Sequence, residues 1–238
     1  MEIQPQPDET TCGPTALHAV YRYWGDEVEL ARIIREVPVL GGGGTLGVLL
    51  ASHALRRGYK VRLYSYNLQL FDPTWAQLTR PELRRKLAQQ LVAKSLPKLQ
   101  FATAAYSEFL ALGGELALED LSPALLARHL DCGEPLLAGL SATYLYRTAR
   151  EVAATNQYDD VRGEPSGHFV VLCDYDAAQG LVRVADPWRP NPVAPGQIYE
   201  ISVERVITAI LLGVITYDGN LVQICPQAGP RVPDVTTP

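Results

Sequence analysis

Gln6-Pro7-Asp8-Glu9-Thr10-Thr11-Cys12-Gly13-Pro14, followed directly by TALHAVYRYWG over 15–25, is the stretch that decides how this chain is read. Pro14 suits the first turn of a helix, where a missing N–H costs nothing. Leu17, Val20 and Trp24 form one apolar stripe, and Gly25 can end the helix. Cys12 then stands at the helix start, where unsatisfied backbone N–H groups and the positive end of the helix dipole favour thiolate over thiol. An inert buried cysteine is the competing reading of this segment taken alone.

Composition narrows the field. The 238 residues are 47% hydrophobic and 20% charged, with a net charge of −5, as in an ordinary globular protein. The basic residues are dispersed, the densest group being Arg84-Arg85-Lys86, so a nucleic-acid partner is not expected. No stretch has the length of an apolar membrane span, and the acidic, polar start MEIQPQPDETT lacks the basic and then apolar order of a secretion signal. A cytosolic location and no membrane partner are the expectations. The four cysteines, Cys12, Cys132, Cys173 and Cys225, have neither paired nor zinc-like spacing.

The chain begins with helices. Asp26 and Glu29 read as a capping pair for a helix that Pro38 closes. Gly41 to Gly44 form a glycine loop without the Lys-Ser/Thr of a phosphate cradle, and Thr45 reads as the cap of a helix ended by Gly58. Tyr59 to Tyr66 alternates like a strand. From about 71 to 112 the periodicity is helical, interrupted at Pro97 and stopped by Gly113-Gly114, and this is read as a helical insertion. Ser122-Pro123 opens another short helix, and Pro135 to Leu140 reads as a strand.

Strands then dominate. His168 to Asp174 and Leu181 to Asp186 read as a hairpin turning near Gln179-Gly180. Ser202 to Ile210 reads as a last helix, with strands at Leu212 to Tyr217 and Leu221 to Cys225. Helices first, antiparallel strands later, is the α+β pattern. One domain over 1–238 is expected, with the insertion at about 71–112 and a loose tail from about 226.

A thiol nucleophile needs a base, a group that orients the base, and donors for the oxyanion. His168 opens one strand of the hairpin and Asp186 ends the other, so the pairing can set them side by side. A carboxylate beside an imidazole raises its basicity and fixes its tautomer. Asp186 is therefore read as the orienting group and His168 as the base for Cys12, with no metal or organic cofactor required.

These residues resemble those of the bacterial papain-like peptidases of the bacteriocin-processing, double-glycine leader peptidase type. That family carries a Gln six residues before Cys-Gly and a helix, and Gln6 and Cys12-Gly13 stand at that spacing. Its Gly-Thr turn into a helix is matched by Gly44-Thr45-Leu46-Gly47, and its His strand and Asp-Pro by His168-Phe169-Val170-Val171-Leu172 and Asp186-Pro187. The resemblance covers about 6–66 and 120–215. It implies a papain-like fold with N-terminal helices on a mostly antiparallel sheet, cysteine peptidase activity on a peptide or protein substrate, and an oxyanion role for Gln6. Thr11 stands where transporter-linked members often carry Asp, and a stand-alone member is expected.

Two rivals keep other chemistry open: a transglutaminase-like acyltransferase using the same triad, and a non-catalytic peptide-binding module. Asp131-Cys132-Gly133 mimics the nucleophile motif but has Leu126 six residues earlier and a strand after it. His18 points about 240° around the helix from Cys12, at about 100° per residue. His53 and His129 read as structural or surface residues, and Cys173 and Cys225 have no neighbouring His.

Overall fold

The computed structural model describes residues 1–41, 43–94 and 96–227. Helices α1 (Cys12–Tyr23), α2 (Leu30–Glu36) and α3 (Gly47–Arg56) come first, followed by β1 (Lys60–Ser65). A helical pair, α4 (Arg80–Ala93) and α5 (Pro97–Ala111), leads to β2 (Glu115–Ala117), α6 (Pro123–Leu130), β3 (Leu136–Ser141) and α7 (Ala142–Tyr146). After the short strands β4 (Glu151–Val152) and β5 (Gln157–Tyr158) come β6 (Gly167–Asp176), β7 (Leu181–Ala185), β8 (Ile198–Ser202), α8 (Val203–Leu212) and β9 (Asn220–Cys225). The class is α+β. One seven-stranded sheet runs in the order β2-β1-β9-β3-β6-β7-β8, antiparallel at each pair except β1 with β2.

Side chains alternate across a strand, and here both faces of the sheet are covered. Phe169, Val171, Val222 and Ile224 pack with Leu17, Leu50, Leu99 and Phe109 of the early helices. Val170, Leu172, Val184 and Leu221 pack with Leu126, Leu145, Val206 and Ile210 of α6, α7 and α8. Burial on two faces explains why β3, LLAGLS, has no polar alternation and is buried along its whole length.

The hairpin forms as expected: β6 and β7 pair antiparallel, with Val171 opposite Ala185 and a bulge between Leu172 and Asp174. The 71–112 segment is helical and breaks at Pro97. Its Leu83, Leu87, Leu99 and Phe109 share one core cluster with Leu17 and Leu50, so the pair is packed into the layer formed by α1 and α3. The expected tail falls outside the described residues beyond Gln227.

Three local expectations are corrected. Leu212 to Tyr217 is not a strand: α8 runs on to Leu212 and Gly213–Thr216 forms a single 3-10 turn. That turn is closed by the Thr216 hydroxyl and the Asp218 N–H, which both donate to the Gly213 carbonyl. Asp26 caps no helix, because its carboxylate is held by Arg57 and Tyr59. Thr45 does not cap α3, because its hydroxyl donates to the Pro38 carbonyl at 2.9 Å and Leu46 takes the cap position. No helix among the described residues is long and apolar enough to cross a membrane.

Candidate active site

The start of α1, the start of β6 and the end of β7 meet at one end of the sheet. Cys12 is the first residue of α1. The turn before it is fixed by Asp8, whose Oδ1 accepts from the Thr10 N–H and hydroxyl at 2.8 Å each. The Thr11 hydroxyl donates back to the Asp8 carbonyl at 3.1 Å and makes no cap bond to α1. Among the described residues no acceptor takes the N–H of Cys12 or Gly13, the orphan donors that a helix start provides. Gly13 must lack a side chain here: a Cβ would stand 2.7 Å from Thr45 Cγ2 and 3.2 Å from Phe169 Cδ2, so the first turn of α1 sits directly on β6.

His168 lies opposite Leu140 on β3. Its Nε2 meets Asp186 Oδ1 at 2.9 Å, and both side chains are buried. An ionised carboxylate can only accept, so Nε2 carries the proton of this bond and Nδ1 is the nitrogen left for Cys12. Burial alone would lower the proton affinity of the ring. The Asp186 charge and hydrogen bond reverse that, Cys12 contributes in the same direction, and His168 is raised to about 10. The ring is therefore an imidazolium at neutral pH.

Asp186 is fully buried and accepts four hydrogen bonds. Beside His168, Oδ1 takes the Trp188 N–H at 2.9 Å; Oδ2 takes the hydroxyls of Tyr146 at 2.9 Å and Tyr199 at 2.8 Å. Burial pushes its proton affinity up, but the His168 charge and the bonds from His168, Trp188 and Tyr199 hold it below the ordinary carboxylate range. Burial and the Asp186 charge in turn push both phenols far above their ordinary range. Tyr146 and Trp188 also frame the imidazole, with ring centroids at 5.9 Å and 6.2 Å.

Gln6 is tied to the same loop, its N–H donating to the Pro187 carbonyl at 2.9 Å. Its Nε2 donates to the Asp8 carbonyl at 2.8 Å, and its Oε1 is buried without a partner among the described residues. Among the described residues the other Nε2 hydrogen has no acceptor. A cavity of about 350 Å3 opens against His168, Tyr146 and Trp188, walled by Thr10, by Gly43 and Gly44, and by the β4–β5 hairpin. The hairpin is tethered to the chain start by an Asn156–Glu9 hydrogen bond.

The other histidines and cysteines have structural settings. His53 is bonded by Tyr21 and Glu36, and His129 by Tyr64 and Glu134, through both ring nitrogens in each case. Burial and the nearby Arg22 lower the proton affinity of His18. Burial raises the Cys173 thiol, and burial with Glu134 pushes Cys225 up to about 12. Cys132 is exposed. Among the described residues no group of three or more His, Cys, Asp or Glu side chains is arranged to hold a metal ion.

Sequence reasoning missed Tyr146, Tyr199 and the Trp188 N–H. Only the last left a signal, since an Asp that bonds the N–H two residues on is a common turn device and Asp186-Pro187-Trp188 has that form.

No family model and no curated protein matches the chain. Among solved structures it is similar to the peptidase domain of Streptococcus ComA, a bi-functional ABC transporter involved in a quorum sensing pathway. The TM-score is 0.46 at 13% identity, over 95% of this chain and 98% of that one. It is also similar, with a TM-score of 0.46 at 13% identity, over 95% of this chain and 94% of the other, to a Bacillus anthracis chain described as a C39-like peptidase.

Proposed function

We propose that this chain is a papain-like cysteine peptidase or amidohydrolase acting on a peptide or protein substrate through Cys12, His168 and Asp186. The observation that carries the reading is the buried His168–Asp186 bond beside a cysteine at a helix start, which keeps a protonated imidazole next to a sulfur that in this reading reacts as the thiolate.

In this reading Cys12 Sγ attacks the carbonyl carbon, and the electron pair moves to the carbonyl oxygen. The free Cys12 N–H and the unused Nε2 hydrogen of Gln6 receive that oxyanion. The intermediate collapses as His168 gives its Nδ1 proton to the departing amine, leaving a thioester on Cys12. Water then attacks the thioester with His168 as base, releasing the acid and restoring the thiolate–imidazolium pair. Asp186, held by two phenols and a backbone N–H, keeps Nε2 turned away from the thiol throughout.

The test is intact-protein mass spectrometry after brief exposure to a peptide library, with Cys12→Ala as control. An acyl adduct on Cys12 that decays to free acid supports the peptidase. Decay mainly to amide when a labelled amine is present favours acyl transfer. Peptide binding with no adduct in any form of the protein overturns covalent catalysis.

A further inference from the structure

The cavity beside His168 carries a charge pattern that the proposed reaction does not use. Three carboxylates from three segments are among its walls: Glu9 of the chain start, Glu151 of β4, and Glu164 between β5 and β6. Glu151 and Glu164 are paired across the backbone, the N–H of each donating to the carbonyl of the other at 3.0 Å and 2.9 Å. Residues paired in this way share a face, and two acids there oppose each other unless a cation joins them. Among the described residues no Lys or Arg is a wall of the cavity, and Glu9, Glu151 and Glu164 form no ion pair. The guanidinium groups nearest in sequence have other partners, the Asp160 carbonyl for Arg150 and the Asp159 carboxylate for Arg162. Burial and the Glu9 charge push the Glu151 carboxyl up.

Independently of the acids, the cavity is placed for substrate. His168, 4% exposed, is one of its walls, and Asp186 takes only the Nε2 of that ring. The space therefore ends on the group that, in the proposed reaction, protonates the departing amine. Cys12 and Gln6, which take the acyl carbon and its oxygen, are not among the walls. The cavity thus lies on the amine side of the bond being cut. Its other walls include the rings of Tyr146 and Trp188, surfaces that suit a cation. The acids stand round about 350 Å3 of space and are not gathered as metal ligands, an arrangement that fits a long cationic side chain and not a bare ion.

We propose that this cavity is a specificity subsite for a lysine or arginine side chain on the amine side of the scissile bond, with Glu9, Glu151 and Glu164 as its determinants. The inference rests on the proposed function for the side of the bond it assigns; the preference for a cation stands on the cavity itself.

The test has a binding arm and a transfer arm, and neither needs a known peptide substrate. In the first, the Cys12→Ala chain is titrated with argininamide, lysinamide, norleucinamide and the amide of glutamic acid, while the Trp188 indole and the Glu151 and Glu164 backbone signals are followed by NMR. The two basic amides are expected to bind about tenfold more tightly than norleucinamide, and Glu151→Gln and Glu164→Gln each to weaken them about threefold, the scale of partly exposed ion pairs. Glu164→Lys should erase the preference. In the second arm, Cys12 of the unaltered protein is acetylated with p-nitrophenyl acetate: the acyl–sulfur bond forms as the acyl–oxygen bond breaks, and p-nitrophenolate leaves. The α-amine of an added amide then attacks the thioester carbon, its proton passes to His168, and the N-acetyl amide forms as the Cys12 thiolate is released. Argininamide should capture the acetyl group from water about tenfold more efficiently than norleucinamide, on the same scale. Norleucinamide or the glutamic acid amide binding or reacting as well as argininamide overturns the proposal, as does a preference unchanged in all three variants. Failure of p-nitrophenyl acetate to acetylate Cys12 would sink the peptidase reading, and the binding arm then decides the subsite by itself.

Discussion

Asp186→Ala removes one carboxylate and strands four donors: the His168 ring, the Trp188 N–H and the hydroxyls of Tyr146 and Tyr199. His168 supplies the scale. Its rise from 6.5 to about 10 in the folded protein, at about 1.4 kcal/mol per unit, is on the order of 5 kcal/mol in favour of the charged ring. Removing one partner of a buried pair costs about 3–5 kcal/mol. These are two views of one interaction and do not add. The expected loss is therefore about 3–5 kcal/mol near pH 6, a large part of the roughly 5–15 kcal/mol that holds a domain folded. The assay is urea unfolding followed by tryptophan fluorescence, at low temperature so that the variant retains a native baseline.

The sign against pH is the sharper test. A group whose proton affinity is raised by folding contributes stability that is complete below its unfolded value and is lost as pH rises through its folded one. For His168 that window runs from 6.5 to about 10. The stability gap between parent and Asp186→Ala is thus widest near pH 6 and narrows towards pH 10. It also closes in acid, because Asp186 is depressed by folding and its contribution disappears as pH falls through its folded value. In the variant only Cys12 is left to oppose the burial of His168, so the ring loses most of its raised proton affinity and the stability that goes with it. A gap below about 1 kcal/mol at pH 6, or one flat from pH 6 to 10, would refute the claim that Asp186 keeps His168 charged.

At neutral pH, limiting iodoacetamide should label Cys12 first, the real competitor being the exposed Cys132 and not the half-buried Cys173 and Cys225, whose thiols are pushed up; faster labelling of Cys132 by peptide mapping removes Cys12 as nucleophile. Tyr199→Phe and Tyr146→Phe each delete one bond to the Asp186 carboxylate, worth about 1.5–3 kcal/mol, and because both bonds end on Oδ2 the double variant should depart from additivity in urea unfolding. Gln6→Ala should leave alkylation of Cys12 intact while lowering turnover about 10²–10³-fold, the cost of one oxyanion donor; full turnover would leave the oxyanion to backbone donors alone.

What was legible in the sequence was local. The helix beginning at Cys12 could be read because Pro14, the Leu17–Val20–Trp24 stripe and Gly25 agree on its limits. The His168–Asp186 hairpin could be read because two apolar runs flank one turn. Where a side-chain oxygen had two possible partners, the sequence misled: Asp26 and Thr45 look like helix caps, but Arg57 and the Pro38 carbonyl take them. Apolar content without length misled as well, and Leu212 to Tyr217 became a helix end and a single 3-10 turn. The 71–112 segment showed its helical period but not its packing. Large side chains such as Leu87, Leu99 and Phe109, each worth about 1.5–3 kcal/mol when fully buried, lie in the same cluster as Leu17 and Leu50. Tyr146 and Tyr199 were out of reach, because a phenol that bonds a carboxylate 40 or 13 residues away leaves no local pattern.

The loop after β7 explains why residues so far apart in sequence are brought to one spot. Asp186 bonds its own loop through the Trp188 N–H, and its backbone is held by Gln197 on both sides, N–H to carbonyl at 2.8 Å and carbonyl to Nε2 at 3.1 Å. The next carbonyl, of Pro187, accepts the N–H of Gln6 at 2.9 Å. Six residues on from Gln6 stands Cys12, its position set by the Asp8 turn and by the close seat of Gly13 on Phe169. Phe169 in turn follows His168. Asp186, His168, Cys12 and Gln6 are thus linked through one short circuit of backbone bonds and contacts, from β7 through the chain start to β6. Displacement of the Asp186 loop would move Gln6 along with His168, so substitutions at Pro187 or Gln197 should disturb the site without touching any of its four residues.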